Sequence, residues 1–254
     1  VERSDDSVSL VALDHRGRAG SADTPGPFGL QAHADDLVAV LDHLGLETAT
    51  LAGHSLGGFI IANAAERHPA RVERLVLVDG GVPFPSAGPP PNPATVDVEA
   101  VVQAVIGPAL DRLDMRWPDE DSYVDFFRAH PAFQLPNEWT AGVEDYVRYD
   151  AVATPEGEIR SSVNKEAVLV DGGSAIVDPA AAAAIERILT PTTWVWCPRG
   201  LLDQTPGLFP PEHVEEQAGR LAHVTPLFAA DTNHYTIVTA DFGAGIVADV
   251  ILGK

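Results

Sequence analysis

Short runs of aliphatic and β-branched residues alternate along the chain with stretches whose apolar positions recur every three or four residues. Residues 8–13 (VSLVAL) are an apolar run of strand length, the pattern of a strand buried on both faces, and 48–52 and 72–78 read as two further strands. Between them, 30–44 carries Leu37, Val40, Leu41 and Leu44 on one helical face, and Gly45 is placed to end that helix. A second helix is expected over 56–68, stopped by Pro69. Strand, helix, strand, helix, strand with short joints predicts a parallel sheet covered on both sides.

The alternation breaks off near residue 80. Residues 80–92 are dominated by Pro and Gly and form no long element. From 96 to 187 the pattern predicts helices at 96–105, 119–129, 143–149, 165–169 and 179–187, with no core strand. Strands return at 192–197 and 224–228, with helices at 211–221 and 240–252. The expected organisation is an α/β core, residues 1–82 and 188–254, interrupted by a helical insertion at 83–187.

Composition removes several function classes. The formal net charge is −21 and Lys165 and Lys254 are the only lysines, so the surface repels nucleic acid and anionic membranes. The Ala-rich run at 180–184 is too short to span a bilayer. The polar, acidic start is unlike a leader, which makes the cytoplasm the default expectation. Cys197 is the only cysteine, so no internal disulfide forms, and its apolar run predicts a buried strand residue. No Cys/His cluster has zinc-ligand spacing, and neither a metal nor a cofactor is expected. Oligomeric state is left open.

The strongest chemical signal is Gly53-His54-Ser55-Leu56-Gly57, a G-x-S-x-G sequence between an expected strand and an expected helix. A serine on so sharp a turn presents its hydroxyl clear of the sheet. Gly53 and Gly57 are expected to leave room where a Cβ would crowd the turn. The following helix aims its N-terminus at the same place, which favours developing negative charge. The chain lacks the Lys and Ser/Thr of a nucleotide-binding P-loop.

Four segments together resemble the α/β-hydrolase family, in particular its serine esterase and lipase branch. They are LDHRGRAGS at 13–21, LAGHSLGG at 51–58, Gly200-Leu201-Leu202-Asp203, and Asp231-Thr232-Asn233-His234-Tyr235. In the first, Ala19 stands where the family often has Gly. The resemblance implies an α/β-hydrolase fold, a mostly parallel sheet flanked by helices, with the insertion as a cap over the site. It implies Ser55 as nucleophile, His234 as base and Asp203 as the acid, in the family's chain order. Asp79, at the end of the strand after the nucleophile strand, is the alternative acid, and Asp231 could instead hold the histidine loop. His54 adjoins Ser55, but neighbours on a tight turn rarely point at one another. His15, His33, His43 and His68 are expected in loops or on solvated helix faces.

One oxyanion donor is expected from the backbone N–H of Leu56; the second is unknown. The family takes it from a loop after an earlier strand, and no such motif precedes Val8. Further strands upstream of Val1 are therefore expected in the gene product. The alternative is that 8–13 is an edge strand and the second donor comes from elsewhere.

A serine nucleophile separates this chain from the relatives that use aspartate there. The expected reaction is hydrolysis of a carboxylic ester, thioester or lactone through an acyl-enzyme. The aromatics between Trp117 and Tyr149 suggest an apolar small-molecule substrate under the cap. The same residues would serve an acyltransferase, a perhydrolase or a carbon–carbon bond hydrolase. A non-catalytic binding protein on this fold is the reading from a different class.

Overall fold

In the computed structural model, residues 8–85 and 95–254 are described. The acidic start at 1–7 and most of the Pro/Gly-rich stretch, 86–94, lie outside the described residues. The first half of the core runs α1 (Leu30–His43), β1 (Ala49–His54), α2 (Leu56–Arg67) and β2 (Val72–Val78). The insertion follows as α3 (Val98–Asp111), α4 (Glu120–Arg128), α5 (Ala141–Asp150), β3 (Ala151–Ala153), β4 (Ile159–Ser161), α6 (Lys165–Ile176) and α7 (Pro179–Ala182). The core resumes with β5 (Thr192–Trp196), α8 (Pro211–Arg220), β6 (Val224–Phe228), α9 (Thr236–Thr239) and α10 (Asp241–Leu252).

Among the described residues the main sheet has four parallel strands in the order β1-β2-β5-β6. β2 lies inside it, and its second half, Leu75–Val78, is buried on both faces, which is why that run is apolar without alternation. Leu75 and Leu77 join Leu37 and Leu41 of α1, Ile61 of α2 and Val214 of α8 on one face. Val76 and Val78 meet Ile237 of α9 and Val247 of α10 on the other. Each fully buried leucine contributes about 1.5–3 kcal/mol of transfer free energy.

Residues 8–13 do not form the expected strand. They carry no strand assignment, and Leu10 is 79% exposed. Apolar residues alone do not make a strand: the backbone needs a hydrogen-bonding neighbour, and no described strand pairs with this run.

The insertion contains the expected helices with shifted ends. α3 runs on past a kink at Ile106, where Pro108 interrupts the backbone ladder. The stretch expected as one helix over 179–187 is α7 followed by a separate 3₁₀ turn, Ala184–Arg187. The β3–β4 hairpin was not anticipated; it is a small ribbon apart from the main sheet.

A buried carboxylate pins the insertion to the core. Asp171 on α6 accepts a 2.6 Å hydrogen bond from the Gly29 backbone N–H. Its other oxygen lies 2.6 Å from Arg18 Nη1 and 2.9 Å from His33 Nε2, close contacts poorly aligned for hydrogen bonding. His33 is thus fully buried rather than on a solvated face. No helix among the described residues is long and apolar enough to cross a membrane.

Candidate active site

Parallel register sets the site. His54 pairs with Val78, so the next residue of each strand, Ser55 and Asp79, sit side by side at the C-terminal edge of the sheet. The Ser55 N–H donates to the Val78 carbonyl at 2.9 Å, which holds the elbow against β2. Ser55 has φ 53° and ψ −118°, a conformation an L-residue adopts only where its surroundings impose it. α2 starts at the next residue, so the Leu56 N–H lies in the first, unsatisfied turn of the helix.

Close backbone approach is tightest at two glycines here. A Cβ on Gly53 would lie 2.3 Å from the Gly57 carbonyl group, and one on Gly80 would lie 2.1 Å from the Ser55 carbonyl oxygen. The expectation for Gly57 does not hold, because a Cβ there meets open space. Gly80, which follows the aspartate of the neighbouring strand, is the glycine that the motif alone did not single out.

His234 Nδ1 lies 2.7 Å from Asp79 Oδ2, and both side chains are buried. Asp203, expected to orient the histidine, does not touch it. Asp203 lies within a turn closed by the Gly200 N–H on the Gln204 carbonyl, beyond the end of β5. There its carboxylate accepts from Arg199 and, at 2.9 Å, from Asn233 Nδ2. The register explains the difference: Asp79 emerges directly beside the elbow, whereas Asp203 lies several residues past its strand and is met by an arginine. Asp231 contributes its backbone carbonyl to Arg199 at 2.7 Å.

The Ser55 hydroxyl makes no hydrogen bond to any described side chain. The His234–Asp79 contact is therefore formed, and no Ser55–His234 hydrogen bond accompanies it. Nε2 is the ring nitrogen of His234 that the Asp79 carboxylate does not engage.

His54 has a part that the sequence did not disclose. Its Nε2 lies 2.7 Å from the backbone carbonyl of His234, and the two rings are 4.6 Å apart. Burial first, and then the His234 ring, push its pKa down to about 3. The ring is neutral near pH 7, with its proton on Nε2 donated to that carbonyl. It ties the nucleophile strand to the histidine loop and is not placed to act as a base.

Behind Asp79 sits Cys197, fully buried as expected. Burial, followed by the adjacent Asp79 carboxylate, pushes its thiol pKa up, so it stays protonated. Asp79 Oδ1 is buried without a hydrogen-bond partner.

Above the histidine, Trp117, Tyr123 and Phe133 are buried with Phe126, Phe127 and Trp139 packed around them, and Tyr235 joins the cluster. These aromatics form the insertion's own core. Tyr146 and Tyr149 stand outside it, 58% and 62% exposed. No group of His, Cys, Asp and Glu among the described residues could hold a metal ion.

A family model described as alpha/beta hydrolase fold matches residues 4–241. The chain belongs to that family. A putative carbamate hydrolase, RutD, of Agrobacterium fabrum is 31% identical over 153 residues, 59% of this chain and 51% of the relative. The N-formylmaleamate deformylase of Pseudomonas putida is 35% identical over 126 residues, 47% of this chain and 46% of the relative. The chain thus spans about half the length of these curated relatives. The crystal structure of E-2-(acetamidomethylene)succinate hydrolase superposes with a TM-score of 0.67 at 16% identity, covering 94% of this chain and 80% of that one. The match shows a shared fold.

Proposed function

We propose that the protein is a serine hydrolase that cleaves a carboxylic ester of an apolar small molecule through an acyl-enzyme, with Ser55 as nucleophile, His234 as base and Asp79 as acid. The observation that carries this reading is the 2.7 Å contact between His234 Nδ1 and Asp79 Oδ2 beside the strained Ser55 elbow. Asp79 orients the imidazole and stabilises the imidazolium that forms. His234 Nε2 takes the proton as Ser55 Oγ attacks the carbonyl carbon. That proton then passes to the leaving alcohol as the C–O bond breaks. Water, activated by the same histidine, releases the acid and restores Ser55. The Leu56 N–H at the start of α2 serves as one oxyanion donor, and the helix N-terminus adds favourable potential.

The insertion acts as a cap, residues 83–187, whose aromatic cluster reaches the histidine through Tyr235. A second reading is that the scissile bond is an acyl carbon–nitrogen bond. It is favoured by relatives named as a putative carbamate hydrolase and a deformylase. Both readings use the same residues. The test is a fluorophosphonate adduct mapped by mass spectrometry, with matched p-nitrophenyl esters and anilides as substrates. An adduct on Ser55 and faster ester turnover are expected. An adduct elsewhere in an active preparation would overturn the nucleophile, and faster anilide turnover would favour the second reading.

A further inference from the structure

Three segments far apart in sequence meet at Arg199. Its guanidinium pairs with Asp203 and donates from Nη2 to Glu138 Oε1 at 3.0 Å and to the Asp231 carbonyl at 2.7 Å. Glu138 belongs to the insertion and is 2% exposed, and its second oxygen accepts from the Leu135 N–H at 2.9 Å. Asn233 Nδ2 donates to Asp203 Oδ1 at 2.9 Å and to the Ala132 carbonyl, also in the insertion, at 2.8 Å. The Asn233 side-chain oxygen then accepts from the N–H groups of Tyr235 and Thr236, at 3.0 and 2.9 Å. These bonds hold the chain on both sides of His234.

We propose that Arg199, Asp203 and Glu138 form a clamp that fixes the His234 loop beneath the insertion, and that they are positioning residues for the reaction proposed above. The inference rests on His234 being the base. Its physical basis is that three loop segments share one rigid, multidentate cation. A planar guanidinium with five donors can satisfy two carboxylates and a carbonyl at fixed angles, which an ammonium cannot. Misplacement of a catalytic group by about 1 Å costs roughly 10²-fold in rate. A clamp that is lost should therefore lower kcat while leaving binding of a small substrate in place. A purely structural salt bridge would lower the melting temperature and leave kcat alone below it.

The test uses the full chain and the variants D203A, D203N and R199K, assayed with a p-nitrophenyl ester well below each melting temperature. Asparagine keeps the Oδ1 acceptor for both Arg199 and Asn233, so D203N should stay within about threefold of the parent. D203A should lose about 10- to 100-fold in kcat, with KM changed less than about threefold. R199K keeps the charge but not the fork, should lose about tenfold, and carries the test if D203A does not fold. Parent-like kcat in D203A or R199K would overturn the clamp. A loss of about 10³-fold or more in D203N would make Asp203 the acid and overturn both the clamp and the triad. Fluorophosphonate labelling of the active parent away from Ser55 would overturn the reading on which the clamp rests, separately from the variants.

Discussion

Asp79 and Asp203 follow neighbouring strands of one sheet, both have positive φ, and both reach the loop that carries His234. Their surroundings make them different instruments. Asp79 is fully buried, and its one hydrogen-bonded oxygen faces an imidazole that can accept a proton. Its charge is free to respond when that imidazole becomes cationic. Asp203 is met by a permanent cation, Arg199, and by the amide of Asn233. Its charge is already answered, so it can hold geometry but has little left to stabilise a developing imidazolium. On the proposed assignment the same side chain gives an acid in one place and a tether in the other, and the partner decides which.

The comparison breaks most sharply in turnover. D79N should lower kcat/KM of an ester by about 10³- to 10⁴-fold, because the amide favours the wrong imidazole tautomer. D203N should change it by less than about threefold. Steady-state kinetics of the two variants side by side checks this, and equal losses would erase the distinction.

Stability should show the reverse ranking. R199M leaves Glu138 as a buried carboxylate without its cation and should cost about 3 kcal/mol. D79N weakens one hydrogen bond to the His234 ring and should cost about 1 kcal/mol or less. Urea unfolding midpoints with unchanged slopes would confirm the order.

The elbow supplies a smaller effect. G80A puts a Cβ against the Ser55 carbonyl, and the resulting shift should cost about 10²-fold in kcat. G57A meets open space and should be nearly silent. If both substitutions were silent, the elbow would be looser than its packing indicates.

A further contrast is in pH. Burial pushes the pKa of His15 down to about 4 and that of His54 down to about 3. Both folded values lie below the ordinary histidine value, so the unfolded chain binds protons that the folded chain does not. Their stabilisation is complete above about pH 6.5 and is lost as pH falls toward those values, by about 1.4 kcal/mol per pH unit for each histidine. H54Q should flatten the fall in unfolding midpoint between pH 7 and 5.

Much of this arrangement was legible from local pattern. β2 and β6 match their expected runs, the core helices fall within a few residues of expectation, and the G-x-S-x-G turn and His234 stand where the motifs put them. Local pattern failed where pairing across the fold decides the outcome. Residues 8–13 have strand composition but no paired neighbour. The choice between Asp79 and Asp203 depends on strand register and on Arg199, neither of which a Gly-x-x-Asp segment discloses. His54 was set aside as a neighbour of Ser55, yet its partner is the backbone of a loop 180 residues away. The β3–β4 hairpin did leave a signal: Thr154-Pro155-Glu156-Gly157, with Gly157 at φ 88°, is a turn between two short β-branched runs.

The central claim is that Asp79 holds the Nδ1 proton of His234. Proton NMR of the intact protein tests it directly, because a buried imidazole N–H bonded to a carboxylate resonates far downfield of ordinary amide protons. The account predicts one such resonance in the parent and in D203N, and its disappearance in D79N. A resonance that survives D79N and vanishes in D203N would contradict the account and return Asp203 to the role of acid.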